Sequence, residues 1–155
     1  MARPSAALGL VAALLVASCA KSPAPGHEAA APDSTPAPHG GVAIALGPSY
    51  RAELVVDATG MMVVRLYDSD WRILDPEGNS AEVTIATPDG ASRVVTLVPM
   101  GTGTAAHYMG PMDEAVVVHV QDQGSYTATV HAKVFGRPLE GKATVRGLAT
   151  GGQGM

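Results

Sequence analysis

Between residues 39 and 146, short apolar stretches alternate with turn-forming residues. Glycine, proline or aspartate ends most of these stretches, and such residues favour tight turns. The first apolar stretches lie at 42–46, 50–57, 61–68, 81–87 and 92–98. Over the whole region the pattern predicts seven to nine strands, about ten residues apart, and no helix of any length. We therefore expect an all-β fold, a small antiparallel β-sandwich of immunoglobulin-like architecture.

Three segments of this region have especially clear patterns. Residues 125–134 alternate strictly, which predicts one buried face and one exposed face. The predicted buried residues are Tyr126, Ala128, Val130, Ala132 and Val134. A nearly continuous valine run at 114–120 predicts a strand that is buried on both faces. The Pro-Asp-Gly triplet at 88–90 predicts a turn, so 81–98 is expected to form a hairpin.

The first 18 residues have the pattern of an export signal. A positive charge at Arg3 precedes an apolar run at 6–17, which is too short to span a bilayer as a helix. The Leu-Val-Ala-Ser-Cys sequence at 15–19 resembles the lipobox of bacterial lipoproteins. That resemblance implies a diacylglyceryl group on the sulfur of Cys19, cleavage before this residue, and acylation of the new amine. The alternative is an ordinary signal peptide with a cysteine beside its cleavage site by chance.

Lipidation would divide the chain into four parts. Residues 1–18 are the predicted signal peptide, and 19–38 are the lipidated cysteine and a tether rich in proline and alanine, which cannot bury enough apolar surface to fold. Residues 39–146 are the predicted sandwich and 147–155 a flexible glycine-rich tail. Two or three acyl chains hold a protein firmly to a membrane. Alanine rather than aspartate after the cysteine favours the outer membrane, with the domain facing the periplasm.

Charge and composition exclude several functions. The chain has 10 Lys+Arg and 14 Asp+Glu, a formal net charge of −4. This acidic balance argues against a nucleic-acid partner and against electrostatic docking on anionic lipid. Phosphate-binding loops, nucleophile elbows and the His-Glu-x-x-His pattern are all absent from the sequence. The only cysteine is assigned to lipid, so no internal disulfide is expected, and we predict that the protein is not an enzyme.

Three short segments in order carry a second resemblance. They are Pro-His-Gly-Gly-Val at 38–42, Glu-Leu-Val at 53–55 and Leu-Tyr-Asp at 66–68. Together they resemble a small bacterial β domain that occurs alone on lipoproteins or beside heavy-metal efflux components. This resemblance implies residence in the periplasm, transition-metal handling and a metal-efflux component as partner. Only His39 can be carried over from that family as a candidate ligand.

Residues 107–112 contain the densest group of metal-binding side chains. Within six residues, His107, Met109 and Met112 offer imidazole and thioether donors, which suit copper and especially cuprous ion. A loop that wraps a cuprous ion would use these donors, because thiols oxidise in the periplasm. With His39, they are the predicted copper ligands. The alternatives are a strand end whose methionines cover the core and, for His39, a solvated hinge.

The remaining histidines and a methionine pair are predicted to be structural. His119 is expected to be buried with one hydrogen bond, and His131 is expected to lie on the surface. His27, in the tether, has no assigned role. Of Met61 and Met62, one is expected to enter the core and the other to face outward.

The sequence thus leaves two functions open. The first is an envelope-anchored lipoprotein that binds or handles a transition metal, copper by preference, as an accessory to efflux. The second is a non-catalytic structural or interaction adaptor of the cell envelope, which lends an edge strand or a face to a partner.

Overall fold

Two antiparallel sheets, packed face to face, make up most of the protein. The computed structural model describes residues 37–147. One sheet has five strands in the order β1-β2-β3-β7-β6, and the other has four in the order β5-β4-β8-β9. The strands are β1 (Val42–Ala45), β2 (Tyr50–Val56), β3 (Met61–Asp68), β4 (Ser80–Ala86), β5 (Ser92–Val95), β6 (Val98–Met100), β7 (His107–Pro111), β8 (Ser125–Val134) and β9 (Arg137–Arg146). The predicted all-β sandwich is confirmed.

The core lies between the two sheets and is built mainly from aliphatic side chains. Every second residue of β8 is buried, as the alternation predicts. The same alternation buries Ala52, Leu54 and Val56 of β2. In β3, Met62 is fully buried and Met61 is only partly buried, so the prediction for this pair is confirmed. Within residues 37–147, no helix is long and apolar enough to cross a membrane.

The valine run at 114–120 is not a strand. It forms most of the helix α1 (Glu114–Gln123), which connects the two sheets between β7 and β8. Val116 and Val120 are buried in the core, and their i, i+4 spacing places them on the same side of the helix. The predicted two-sided strand was therefore wrong, as was the expectation that the chain has no helix.

Capping residues explain why this valine-rich segment is helical. The side chain of Asp113 accepts a hydrogen bond from the amide of Ala115 at 2.8 Å, which satisfies a free donor at the helix start. Gly124 ends the helix with φ of 75°, a left-handed conformation that glycine adopts without strain. These local signals override the strand preference of valine, which depends strongly on context.

The chain passes from one sheet to the other immediately after the predicted hairpin. β4 and β5 pair antiparallel from Val83↔Val95 to Ala86↔Ser92, so the hairpin is confirmed over these residues, but its second strand ends at Val95 and not at the predicted Val98. Beyond Val95 the chain crosses over, and β6 joins β7 in the five-stranded sheet. β6 therefore forms one edge of that sheet, next to the strand that carries His107 and Met109.

Close packing between β9 and β1 joins the two sheets at one side. A Cβ atom on Gly141 of β9 would overlap the backbone oxygen of Ala45 and would lie 2.7 Å from a methyl carbon of Ile44. Only glycine allows the two backbones to approach so closely.

We expect Gly141→Ala to destabilise the protein by about 1–3 kcal/mol, because the added methyl group overpacks this contact. Urea unfolding, followed by the fluorescence of Trp71, measures the loss. Thr144→Ala, at an exposed position of the same strand, is the control and should change the stability by no more than about 0.5 kcal/mol. Equal effects of the two substitutions would show that the contact does not matter.

Candidate functional site

Two of the four predicted ligands, His107 and Met109, lie on the outer face of the five-stranded sheet. We define this face by the side chains of β2, β3, β6 and β7 that lie on the side of the sheet opposite the core. The alternation along each strand and the register between strands identify them. They are Arg51, Glu53, Val55, Met61, Val63, Arg65, Tyr67, Val98, Met100, His107 and Met109. The outer face of the other sheet is polar by comparison, with threonines, His131, Glu140 and Lys142. The two surfaces of the sandwich therefore differ in chemistry.

Glu53 is the centre of a hydrogen-bonded cluster on this face. Although it is an acidic residue, it is fully buried. Its Oε1 atom accepts hydrogen bonds from the backbone amides of His39 at 2.7 Å and Gly41 at 3.1 Å. Its Oε2 atom accepts from the hydroxyl of Tyr67 at 2.7 Å and lies 2.9 Å from Nδ1 of His39. The buried carboxylate is thus surrounded by donors, as a buried charge must be.

The two glycines after His39 make this arrangement possible. Gly40 has φ of 73° and donates to the carbonyl of Ala37 at 3.0 Å, which turns the chain towards β2. A Cβ atom on Gly41 would lie 2.6 Å from the carbonyl oxygen of Leu54. Any larger residue would push the amide of position 41 away from Glu53. The His-Gly-Gly sequence therefore has a structural explanation.

The ionisation of the cluster follows from its hydrogen bonds. Burial opposes the charge on Glu53, but hydrogen bonds from the side chains of Tyr67 and His39 and from the amides of Gly41 and His39 outweigh it and lower the pKa of the carboxyl. Burial, the hydrogen bond to Glu53 and its charge raise the pKa of Tyr67. Tyr67 accordingly stays protonated and donates to an ionised Glu53.

An aromatic residue covers the cluster at one end of the sheet. Trp71 contacts Tyr67 edge-on, with ring centroids 5.1 Å apart, and the guanidinium of Arg51 lies 5.2 Å from the centre of the Trp71 ring. Trp71 has φ of 58°, a conformation rare for a bulky residue. This strain is tolerated where the ring shields Tyr67 and stacks against a cation.

The hydrogen bonds fix the tautomer of His39. Tyr67 gives its single proton to Glu53, so Nδ1 of His39 carries the proton that is shared with the carboxylate. In the neutral ring the lone pair is then on Nε2, which has no hydrogen-bond partner within residues 37–147. The side chain is 47% exposed. Metal-binding histidines commonly have one ring nitrogen held by a carboxylate in this way.

His107 has the same tautomer for a different reason. Its Nδ1 atom lies 2.7 Å from the carbonyl oxygen of Ala105, which can only accept a hydrogen bond. In the neutral ring, Nε2 therefore carries the lone pair. His39, held over the outer face, and His107, on that face, thus each have Nδ1 engaged in a hydrogen bond and Nε2 as the atom that could bind a ligand.

Residues 107–111 form a strand rather than the wrapping loop considered for this segment. Alternation along β7 directs His107 and Met109 outward and Tyr108 into the core. Met112 follows the strand and packs in the core with only 7% of its surface exposed. The structure therefore brings together two of the three donors in this segment and separates the third.

His39 lies apart from the β7 donors. It is held over β2, and β3 lies between β2 and β7, a distance of about 10 Å between the outer two backbones. In the part of the chain that the structure describes, no three histidine, cysteine, aspartate or glutamate side chains form a group suited to a metal ion. A site with three or more protein ligands among the described residues of this face would therefore need a donor of another type, such as methionine.

His119 and His131 lie on other elements of the structure, away from β7. His119 lies on α1, half-buried, with Nδ1 3.9 Å from a carboxylate oxygen of Asp89. Its Nε2 atom is buried without a hydrogen-bond partner. His131 lies on the outer face of the four-stranded sheet, with Nδ1 3.3 Å from an oxygen of Glu140, which agrees with its predicted surface position. Cys19 and His27 fall outside the described residues.

Comparison of the sequence and the structure with protein-family models, curated proteins and solved structures finds no significant match. The function must therefore be argued from the chemistry of the outer face. Sequence reasoning identified His39 but missed Glu53 and Tyr67, although all three belong to the segments that carry the family resemblance. An acidic residue inside an apolar strand was the available signal.

We expect Glu53→Gln to cost about 1.5–3 kcal/mol at neutral pH, the usual contribution of hydrogen bonds to a charged group. Because folding lowers the pKa of Glu53 below its ordinary value of 4.5, its ionisation stabilises the fold above that pH. This contribution is lost as the pH falls through the lower, folded-state pKa. The difference in urea stability between wild type and variant should therefore shrink between pH 5 and pH 3.

Glu140→Gln is the matched control, because Glu140 is exposed and its pairing with His131 lies on the surface. It should change the stability by less than about 1 kcal/mol. A Glu53→Gln difference that does not vary with pH would contradict the ionised state of Glu53.

Proposed function

We propose that this protein is a lipid-anchored envelope protein that binds a transition-metal ion, copper by preference, on the outer face of its five-stranded sheet. The observation that carries the proposal is His107 on that face, whose Nδ1 atom is already engaged and which has Met109 beside it as a second donor. His39 is a separate imidazole that is held in the same way over β2. Nδ1 of His39 is held by Glu53, and Nδ1 of His107 by a backbone carbonyl. Each ring therefore offers Nε2 in a fixed orientation, which lowers the entropic cost of binding.

The identity of the nearby donors favours copper. Met109 lies two residues from His107 on the same face, and a thioether is a soft ligand that suits cuprous ion better than magnesium or calcium. The lipobox at 15–19 would place the domain in the envelope, where thiols oxidise and methionine and histidine are the remaining soft or borderline donors. An exposed site of few ligands also suits an accessory protein that passes an ion to an efflux component.

An adaptor function is the second candidate, and one observation favours it. On the edge strand β6, Val98 is 56% exposed and Met100 is 46% exposed, and both lie on the outer face beside Val63 and Met109. A partner could bury this apolar area. Pro99 lacks an amide hydrogen and interrupts the edge, so a partner would bind the face rather than add a strand.

The metal proposal predicts a metal-dependent gain in thermal stability. In the full chain with Cys19→Ser, kept in detergent, an ion at 100 times its Kd should add about 2.7 kcal/mol, a shift of several degrees in Tm. Cuprous ion should give the largest shift, ahead of cupric and zinc ions. The double variant His39→Ala/His107→Ala should abolish it.

The control is His131→Ala, which removes an exposed imidazole on the opposite side of the sandwich and should leave the metal-induced shift unchanged. If no metal shifts the Tm of the parent protein, the metal proposal fails and the adaptor function becomes the better account.

The anchor is testable separately. We expect Cys19→Ser to abolish the incorporation of fatty acid, because the chain has no other cysteine to carry the diacylglyceryl group. Metabolic labelling with a fatty-acid analogue measures this effect. Lys21→Ala, which alters a residue of the tether near the cysteine, is the control and should leave labelling intact. Equal labelling of the Cys19→Ser variant would refute lipidation.

A further inference from the structure

The outer face holds a set of soft donors that goes beyond the ligands predicted from sequence. We propose that Met100, His107 and Met109 together form a three-coordinate site for cuprous ion, with two thioether sulfurs and one imidazole nitrogen. This inference rests on the proposed metal-binding function and deepens it. It adds Met100, omits His39 and Met112, and specifies the oxidation state of the metal.

The strand register places the three residues next to one another. Met100 of β6 is the direct partner of His107 of β7. Directly opposed residues in an antiparallel pair have Cβ atoms about 4.5–5.5 Å apart and point to the same face. Met109 follows His107 by two residues on the same strand, a separation of about 7 Å, and lies diagonal to Met100. The three side chains are therefore at the corners of a small triangle.

The side chains are suited to converge on one ion. Methionine is unbranched and has three rotatable side-chain bonds, so both sulfurs can reach inward from these corners. The bond from Nδ1 of His107 to the carbonyl of Ala105 leaves Nε2 as the coordinating atom. Met100 is 46% exposed, and His107 and Met109 are partly exposed, so an ion can reach them without unfolding the strand.

The surroundings favour a singly charged, soft ion. Met109 lies between Val98 on one side and Val63 on the other, so apolar side chains flank the sulfur. Arg65 follows the last paired residue of β3 beside β7 and lies on the same outer face. Arg65 is the register partner of the ionised Glu53, so the two charges offset each other. Thioether ligands are neutral and soft, so cuprous ion is favoured over cupric and zinc ions.

The two omitted residues are excluded by position. Met112 packs in the core, on the other side of the sheet from Met109. His39 is held over β2 by Glu53, with β3 between it and β7. Met112, which lies outside the site, is therefore a control for Met100 and Met109, because each of the three can be replaced by leucine.

The experiment measures the affinity for cuprous ion in the full chain with Cys19→Ser, kept in detergent under reducing conditions. A chromophoric cuprous chelator competes for the metal. We expect Met100→Leu, Met109→Leu and His107→Gln each to weaken binding at least tenfold, because loss of even an outer-shell partner of a metal costs about 10–100-fold. Met112→Leu, a conservative change in the core, and His39→Ala should leave the affinity within about twofold.

Silver ion, a redox-inert substitute for cuprous ion, provides an independent readout. In protein labelled with ¹³C at the methionine methyl groups, silver should shift the resonances of Met100 and Met109 and leave those of Met62 and Met112 unchanged. The variants Met100→Leu and Met109→Leu assign these signals even if the chelator experiment is limited by precipitation.

The outcomes separate this inference from the function on which it rests. If cuprous binding is lost in His39→Ala but kept in the three site variants, the proposed three-residue site is wrong and the metal-binding function stands. If Met112→Leu weakens binding as much as Met109→Leu, the proposed set of donors is also wrong. If the parent protein binds no cuprous ion, both proposals fail.

Discussion

The structure depends on one buried charge. The carboxylate of Glu53 lies in the outer layer of the five-stranded sheet with no exposure to solvent, a position that would be costly without hydrogen bonds. Two backbone amides from positions 39 and 41, the ring of His39 and the hydroxyl of Tyr67 supply those bonds. They join the first turn of the domain to two strands at once. The contacts of Glu53 and Tyr67 with Nδ1 of His39 also set the orientation of that ring, which lies outside the proposed three-residue site.

The sandwich gives its two outer faces different chemistry. The four-stranded sheet presents threonines and paired charges such as His131 and Glu140. The five-stranded sheet presents valines, methionines and two imidazoles whose Nδ1 atoms are engaged. The asymmetry follows from the crossover after β5, which adds β6 beside β7 and so places Met100 opposite His107. A chain that stayed in one sheet at this point would have kept the two residues apart.

The sequence pattern determines more of the fold than of the site. Period-two alternation at 125–134 and the Pro-Asp-Gly turn were sufficient to predict a long strand and a hairpin, because both signals are local. The valine run at 114–120 was wrongly predicted to be a strand, because the caps at Asp113 and Gly124, which determine its conformation, lie outside the run. The burial of Glu53 could not be predicted from the sequence either. Alternation assigns it to an outward position, and its burial depends on donors that lie 14 residues away on each side. Met100 was missed because its pairing with His107 requires the crossover to be known.

Binding of a soft metal ion to the outer face of the five-stranded sheet can be observed at the copper itself. The measurement is X-ray absorption at the copper K-edge, on the full chain with Cys19→Ser loaded with one equivalent of cuprous ion. We expect a three-coordinate spectrum with two sulfur scatterers and one nitrogen from imidazole. Both sulfurs must come from methionine, since the only cysteine has been replaced. A spectrum that shows nitrogen or oxygen neighbours alone would contradict the assignment to methionine and would favour His39 as a ligand. Copper that washes out with the buffer would contradict the metal-binding account as a whole.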